Sequence, residues 1–158
     1  AWMTAQSINA EMITAIWLVL GFFICISPFI WRSIFAKFGN GIPLSMILIS
    51  ISIGSVTPLL SPSYSILLFS AVIFGSSVFM APGAITNFTR RNLPQEMWAY
   101  SISVFTVIFA ISQTLGPYIA GLIGDYFDDI GMGLFASFII LILGALISLS
   151  QKELTKHN

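Results

Sequence analysis

Five apolar stretches long enough to cross a lipid bilayer divide this chain, and every Lys and Arg lies in alternate connections between them. Arg32 and Lys37 follow the first stretch, Arg90 and Arg91 the third, and Lys152 and Lys156 the fifth, while the connections in between carry none. Lys and Arg are retained on the cytoplasmic side of a membrane. The sorting therefore predicts a multi-pass membrane protein of fixed orientation, N-terminus outside and C-terminus cytoplasmic. The spans are near-continuous apolar runs, whereas barrel strands are ~10 residues long and alternate, so the expected elements are helices. A helix needs ~20 residues to cross the hydrocarbon core. Residues 12–30, 42–60, 64–86, 98–123 and 130–149 provide five such runs, and residues 150–158 form a polar tail. The expected fold class is an all-α membrane protein with five transmembrane helices and the lipid bilayer as its solvent.

Composition agrees and removes several functions. The chain is 57% hydrophobic and 8% charged, against roughly 25% charged in soluble domains. A net charge of zero and no basic run beyond Arg90-Arg91 argue against a nucleic-acid partner. The one cysteine, Cys25, lies inside an apolar stretch and reads as a small buried hydrophobe, which excludes a disulfide framework. The one histidine, His157, falls in the tail, and no span carries a central Asp, Glu, Lys, Arg or His. Intramembrane proteases and metal enzymes need such groups, so neither an enzyme, a metal site nor a cofactor is expected.

Local signals punctuate the spans. Pro28 removes the hydrogen bond to the Ile24 carbonyl and should bend the first helix near its cytoplasmic end, and Trp31 suits the interfacial aromatic belt. Pro43 opens the second span. The third is expected to stay helical to Thr89. Asn92 and Gln95 resemble a capping box before the fourth. An odd number of spans entered from outside is expected of the latter part of a longer chain, and starting at Ala1 rather than Met points the same way.

The fourth span carries the most specific segment, Ser112-Gln113-Thr114-Leu115-Gly116-Pro117-Tyr118-Ile119-Ala120-Gly121-Leu122-Ile123-Gly124-Asp125. Gly116, Ala120 and Gly124 share one face, where small residues let helix backbones approach closely. A second stripe, Ser103, Thr106, Ala110, Gln113 and Pro117, is polar and should point away from lipid. Two readings are open: a helix that lines a translocation path and rocks, with Gly116, Pro117, Ala120, Gly121 and Gly124 as its packing surface, or a packing helix whose polar groups bond its neighbours. Asn87, after Pro82-Gly83, is a further path candidate or an interfacial cap. The basic connection of Arg32 and Lys37 reads as a topology anchor or a cytoplasmic latch.

The run Trp31…Ala36-Lys37-Phe38-Gly39, then Phe74-Gly75-Ser76-Ser77-Val78-Phe79-Met80, then Gly116 to Asp125 resembles the C-terminal half of a major facilitator superfamily transporter, with the five spans as helices eight to twelve of twelve. Within it, Ser27-Pro28…Trp31, the Gly75 segment and Ser112 to Pro117 look most like the YbfB/YjiJ-type bacterial branch. The resemblance implies part of a six-helix bundle in the bacterial inner membrane. It also implies alternating access for a small solute without ATP, and an N-terminal half as partner. Ser103, Thr106, Gln113 and Asn87 are then the residues expected to line the path. The competing expectation is a non-transporting membrane scaffold or assembly subunit. The superfamily's loop motif, G-x-x-x-D-[RK]-x-G-[RK]-[RK], falls on Arg32 to Gly41. Lys37 and Gly39 fit it; Arg32 replaces the leading Gly, Ala36 the Asp, and Asn40 and Gly41 the last basic pair. The carboxylate that latches the inward gate in that family is missing from this loop.

Overall fold

The computed structural model describes residues 8–154, so Lys156 and His157 lie outside the described residues. Six α-helices follow one another: α1 (Ala10–Lys37), α2 (Ile42–Leu60), α3 (Tyr64–Gly75), α4 (Ala81–Asn92), α5 (Trp98–Phe127) and α6 (Ile130–Leu149), with a 3-10 turn at Gln95–Met97 before α5. Four of them, α1, α2, α5 with its 3-10 turn, and α6, are long and apolar enough to cross a membrane.

The first span is longer than its sequence signals. α1 begins at an Asn9 cap, whose side chain accepts from the Glu11 amide at 3.0 Å, and runs through Pro28 to Lys37. Pro28 cannot donate to the Ile24 carbonyl, but the Ser27 hydroxyl does, at 2.7 Å. With that acceptor satisfied, the helix continues about two turns beyond the expected end at Ile30, and the expected connection shrinks to Phe38–Gly41. Cys25 is exposed on α1 rather than buried, which suits a weakly polar thiol against lipid.

The third expected span is not one helix. It is divided into α3 and α4, 12 residues each and about 18 Å long at 1.5 Å per residue, too short singly for a ~30 Å core. The break is local chemistry. Ser77 N bonds Phe74 O at 3.1 Å and Met80 N bonds Ser77 O at 2.9 Å, tight i to i+3 bonds in place of helical ones. The Ser76 hydroxyl turns back to Ile73 O at 2.8 Å, and Pro82 has no amide to offer Val78. Trp31 closes the freed end: its Nε1 donates to the Ser76 carbonyl at 2.7 Å. Trp31 is only 5% exposed and packs with Ile47, Ile51 and Ala84. It is therefore a buried core residue rather than a member of the interfacial belt, because the break offers its indole a partner indoors.

α2 is the central helix, packed on α3 and α6 and touching α4; α1 lies on α3, and α5 lies on α6 with a smaller contact to α4. Close approach at the middle needs two glycines. A Cβ on Gly54 would stand 2.8 Å from Phe74 Cβ, and one on Gly75 would stand 2.7 Å from the Leu20 carbonyl. Many outward-facing side chains are large and apolar, Phe29 and Leu60 each being 76% exposed. Contacts among the ends of α1, α4 and α6 bring Arg32, Lys37, Arg90, Arg91 and Lys152 to one end of the bundle, hereafter the basic end.

Candidate functional site

α5 packs along one side only, against α6 and the end of α4. Of its 30 residues only Gly124 is buried. Its packed face, marked by Ile102, Phe109, Ala120 and Ile123, looks toward α4 and α6, while Ser103, Thr106, Ala110, Gln113 and Pro117 are all exposed beside it. The hydroxyls bond their own helix rather than a neighbour: Ser103 Oγ to Ala99 O at 2.7 Å, Thr106 Oγ1 to Ile102 O at 2.8 Å, and Thr114 Oγ1 to Ala110 O at 3.1 Å. Each proton is thus committed, and what these hydroxyls present outward is acceptor lone pairs. Gln113 stands exposed among them with a full amide.

The small-residue face divides. A Cβ on Gly133 of α6 would stand 2.6 Å from the Ala120 carbonyl, and one on Gly124 would stand 3.4 Å from Ile130 Cα, so Ala120 and Gly124 serve the α5–α6 crossing. Gly116 and Gly121 have nothing within 4 Å of a Cβ, and Pro117 is exposed.

Asn87 is not gathered with the α5 candidates. Its Nδ2 donates to the Phe38 carbonyl at 3.2 Å. Thr86 of α4 does face α5, sharing with Thr106 a cavity of about 100 Å³ walled by Pro82, Ile85, Phe105 and Phe109. The signal for Thr86 was its place one turn after Pro82, but nothing in the sequence ranks it above Asn87. A larger cavity of about 290 Å³ lies between α1, α2 and α3, lined by Ile16, Leu20, Phe74, Ser70 and others, and it is almost wholly apolar.

At the basic end α4 grips the α1–α2 connection by its carbonyls. Arg91 donates through Nη2 to Ala36 O. Asn92 donates through Nδ2 to Gly39 O at 2.7 Å and to Phe88 O at 2.9 Å. Asn92 is therefore the buried last residue of α4, not the cap of α5, which has no side-chain cap. From α6, Ser148 Oγ donates to Gly41 O at 2.8 Å. This clasp occupies the place of the loop motif. Of the motif positions, Gly39 is buried within it, Arg32 is exposed, and Lys37 lies over the Phe38 ring at 5.3 Å. Arg90 lies over the Trp98 ring at 5.5 Å.

No titratable side chain lies on the exposed stripe of α5, and among the described residues no three His, Cys, Asp or Glu side chains gather as metal ligands. Chemically the stripe suits hydrogen bonding to a neutral polar group. A family described as the uncharacterised MFS-type transporter YbfB matches residues 1–149. No curated protein and no solved structure matches the chain.

Proposed function

We infer the function from one premise: this chain belongs to the YbfB-type family of major facilitator superfamily transporters, and is an integral membrane protein of a transporter family. We propose that it moves a small solute as a secondary transporter by alternating access. α1, α2, the α3–α4 pair, α5 and α6 are then five spans, the pair forming one interrupted crossing. They make up most of a six-helix half, with the basic end in the cytoplasm of a bacterial inner membrane.

The observation that carries this reading beyond the family is the exposed stripe of α5. An unpaired amide moved from water into hydrocarbon costs roughly 2–7 kcal/mol, so Gln113 with Ser103 and Thr106 beside it is out of place against lipid. The stripe instead suits a watery path or a second half of the transporter. Gly116, Pro117 and Gly121 then give a surface on which that half can approach and slide. Asn87 serves the clasp, and Thr86 joins Thr106 as a path residue. The solute facing this stripe meets acceptor oxygens and one amide, which suits an uncharged or donor-bearing group.

Reconstitution of the complete transporter into liposomes tests this. Saturable uptake of a member of a neutral-solute panel is expected, with Gln113→Leu reducing flux at least about tenfold, the factor for one lost hydrogen bond of ~1.4 kcal/mol. Absence of saturable flux across the panel, or full flux in Gln113→Leu, defeats the assignment.

A further inference from the structure

The segment that follows α6 folds back onto the clasp. Gln151 O accepts from the Gly41 amide at 3.1 Å, and the Leu154 amide donates to Asn92 Oδ1 at 2.6 Å. Between them, Glu153 lies against Gly39: a Cβ on Gly39 would overlap the Glu153 carboxylate, and the same Cβ would stand 3.1 Å from Arg91 Cδ. A carboxylate and the stem of a guanidinium thus meet at one glycine. Gly39 admits the acid because it has no side chain.

Electrostatics makes that placement informative. α1 ends at Lys37, so its last carbonyls form a partial negative pole. A carboxylate beside such a pole is unfavourable unless a cation accompanies it. Besides Lys37 in the last turn of α1, Arg91 brings a cation there, reaching the Ala36 carbonyl with one nitrogen while its stem flanks Gly39. Ala36 itself has no acid to offer.

We propose that residues 150–154 form a strap that completes the clasp, and that Glu153 brings from beyond α6 the carboxylate beside Arg91 that the α1–α2 connection lacks. The strap ties the end of α6 to the α1–α2 connection and to the end of α4, so these three move as one body. It concerns contacts within this chain and stands or falls independently of transport.

Hydrogen exchange by mass spectrometry on the whole chain in lipid nanodiscs tests it. The readout is the amides of residues 38–42, with those of α3 as internal reference. Ending the chain at Ser150, or making Glu153→Lys, should raise exchange at 38–42 about tenfold, the scale of one or two lost hydrogen bonds, with α3 unchanged. Glu153→Gln, which keeps size and removes charge, should fall between Glu153→Lys and the parent. In an Arg91→Gln background, the Lys and Gln variants at 153 should converge. Parent-like exchange in Glu153→Lys, or Lys and Gln variants that stay apart without Arg91, overturns the proposal. If the shortened chain also exchanges throughout α3, it has lost its fold, and the point variants, which keep every backbone contact, decide.

Discussion

Asn92 is the residue whose replacement should most disturb the basic end. It is 8% exposed and uses its whole amide: Nδ2 to Gly39 O at 2.7 Å and to Phe88 O at 2.9 Å, and Oδ1 from the Leu154 amide at 2.6 Å. A net contribution of ~0.5–1.5 kcal/mol per bond, with ~1–3 kcal/mol for a buried carbonyl left unpaired, puts Asn92→Ala at about 2–4 kcal/mol of destabilisation. Asn92→Asp has the same shape and is expected to be worse. It replaces the donor with a charged oxygen facing two carbonyls, and an unpaired buried charge is harder to tolerate than a gap. The sign with pH follows. At neutral pH the introduced acid is ionised and repelled; lowering the pH toward ~4 protonates it, restores one donor and narrows the difference from the parent. Unfolding in mixed micelles by titration with sodium dodecyl sulfate, followed by tryptophan fluorescence, reads both effects. Asn92→Asp as stable as the parent at pH 7, or more stable than Asn92→Ala, would refute the donor role assigned to this amide.

Two further substitutions probe other joints in the same assay. Trp31→Phe keeps an aromatic ring, smaller than the indole, but removes the donor to the Ser76 carbonyl; a loss of ~1–3 kcal/mol is expected, and an unchanged midpoint would mean the α3–α4 break needs no closing bond. Gly133→Ala places a methyl 2.6 Å from the Ala120 carbonyl and should cost about 1–3 kcal/mol as α5 and α6 are forced apart. Gly116→Ala meets nothing within 4 Å and should be neutral or gain up to ~1 kcal/mol in helix propensity. Equal effects at the two glycines would contradict the division of that face.

The sequence was most legible where one property repeats over a whole span. Apolar length marked α1, α2, α5 and α6, and those basic residues of the alternate connections that are described do meet at one end. It misled where a single residue had a partner far along the chain. Pro28 read as a bend near the end of a span closing at Ile30, but the neighbouring Ser27 hydroxyl takes the carbonyl that proline leaves free and the helix runs on to Lys37. Trp31 read as interfacial because its partner, Ser76, lies 45 residues away. Phe74 to Ala84 is apolar enough to pass for one continuous helix, and the break shows only in backbone bonds that hydropathy does not register. Asn92 read as a cap because the carbonyl it binds belongs to a distant connection, and Asn87, open between path lining and interfacial bonding, donates to a carbonyl of that same connection.

Three prolines inside helices show why the α5 face is distinctive. Each lacks an amide proton and so leaves one carbonyl without its helical donor. For Pro28 that carbonyl is Ile24 O, taken by Ser27. For Pro58 it is Gly54 O, taken by the buried Ser70 hydroxyl of α3 at 2.6 Å. For Pro117 it is Gln113 O, and among the described residues no side chain donates to it. In hydrocarbon an unsatisfied carbonyl costs several kcal/mol, and the first two sites show that a serine is enough to avoid this. The Gln113 carbonyl and its side-chain amide lie on one exposed stripe with the hydroxyl oxygens of Ser103 and Thr106, so on the proposed reading their partners come from outside the helix. Water, solute or a second half of the transporter can supply them; lipid tails cannot.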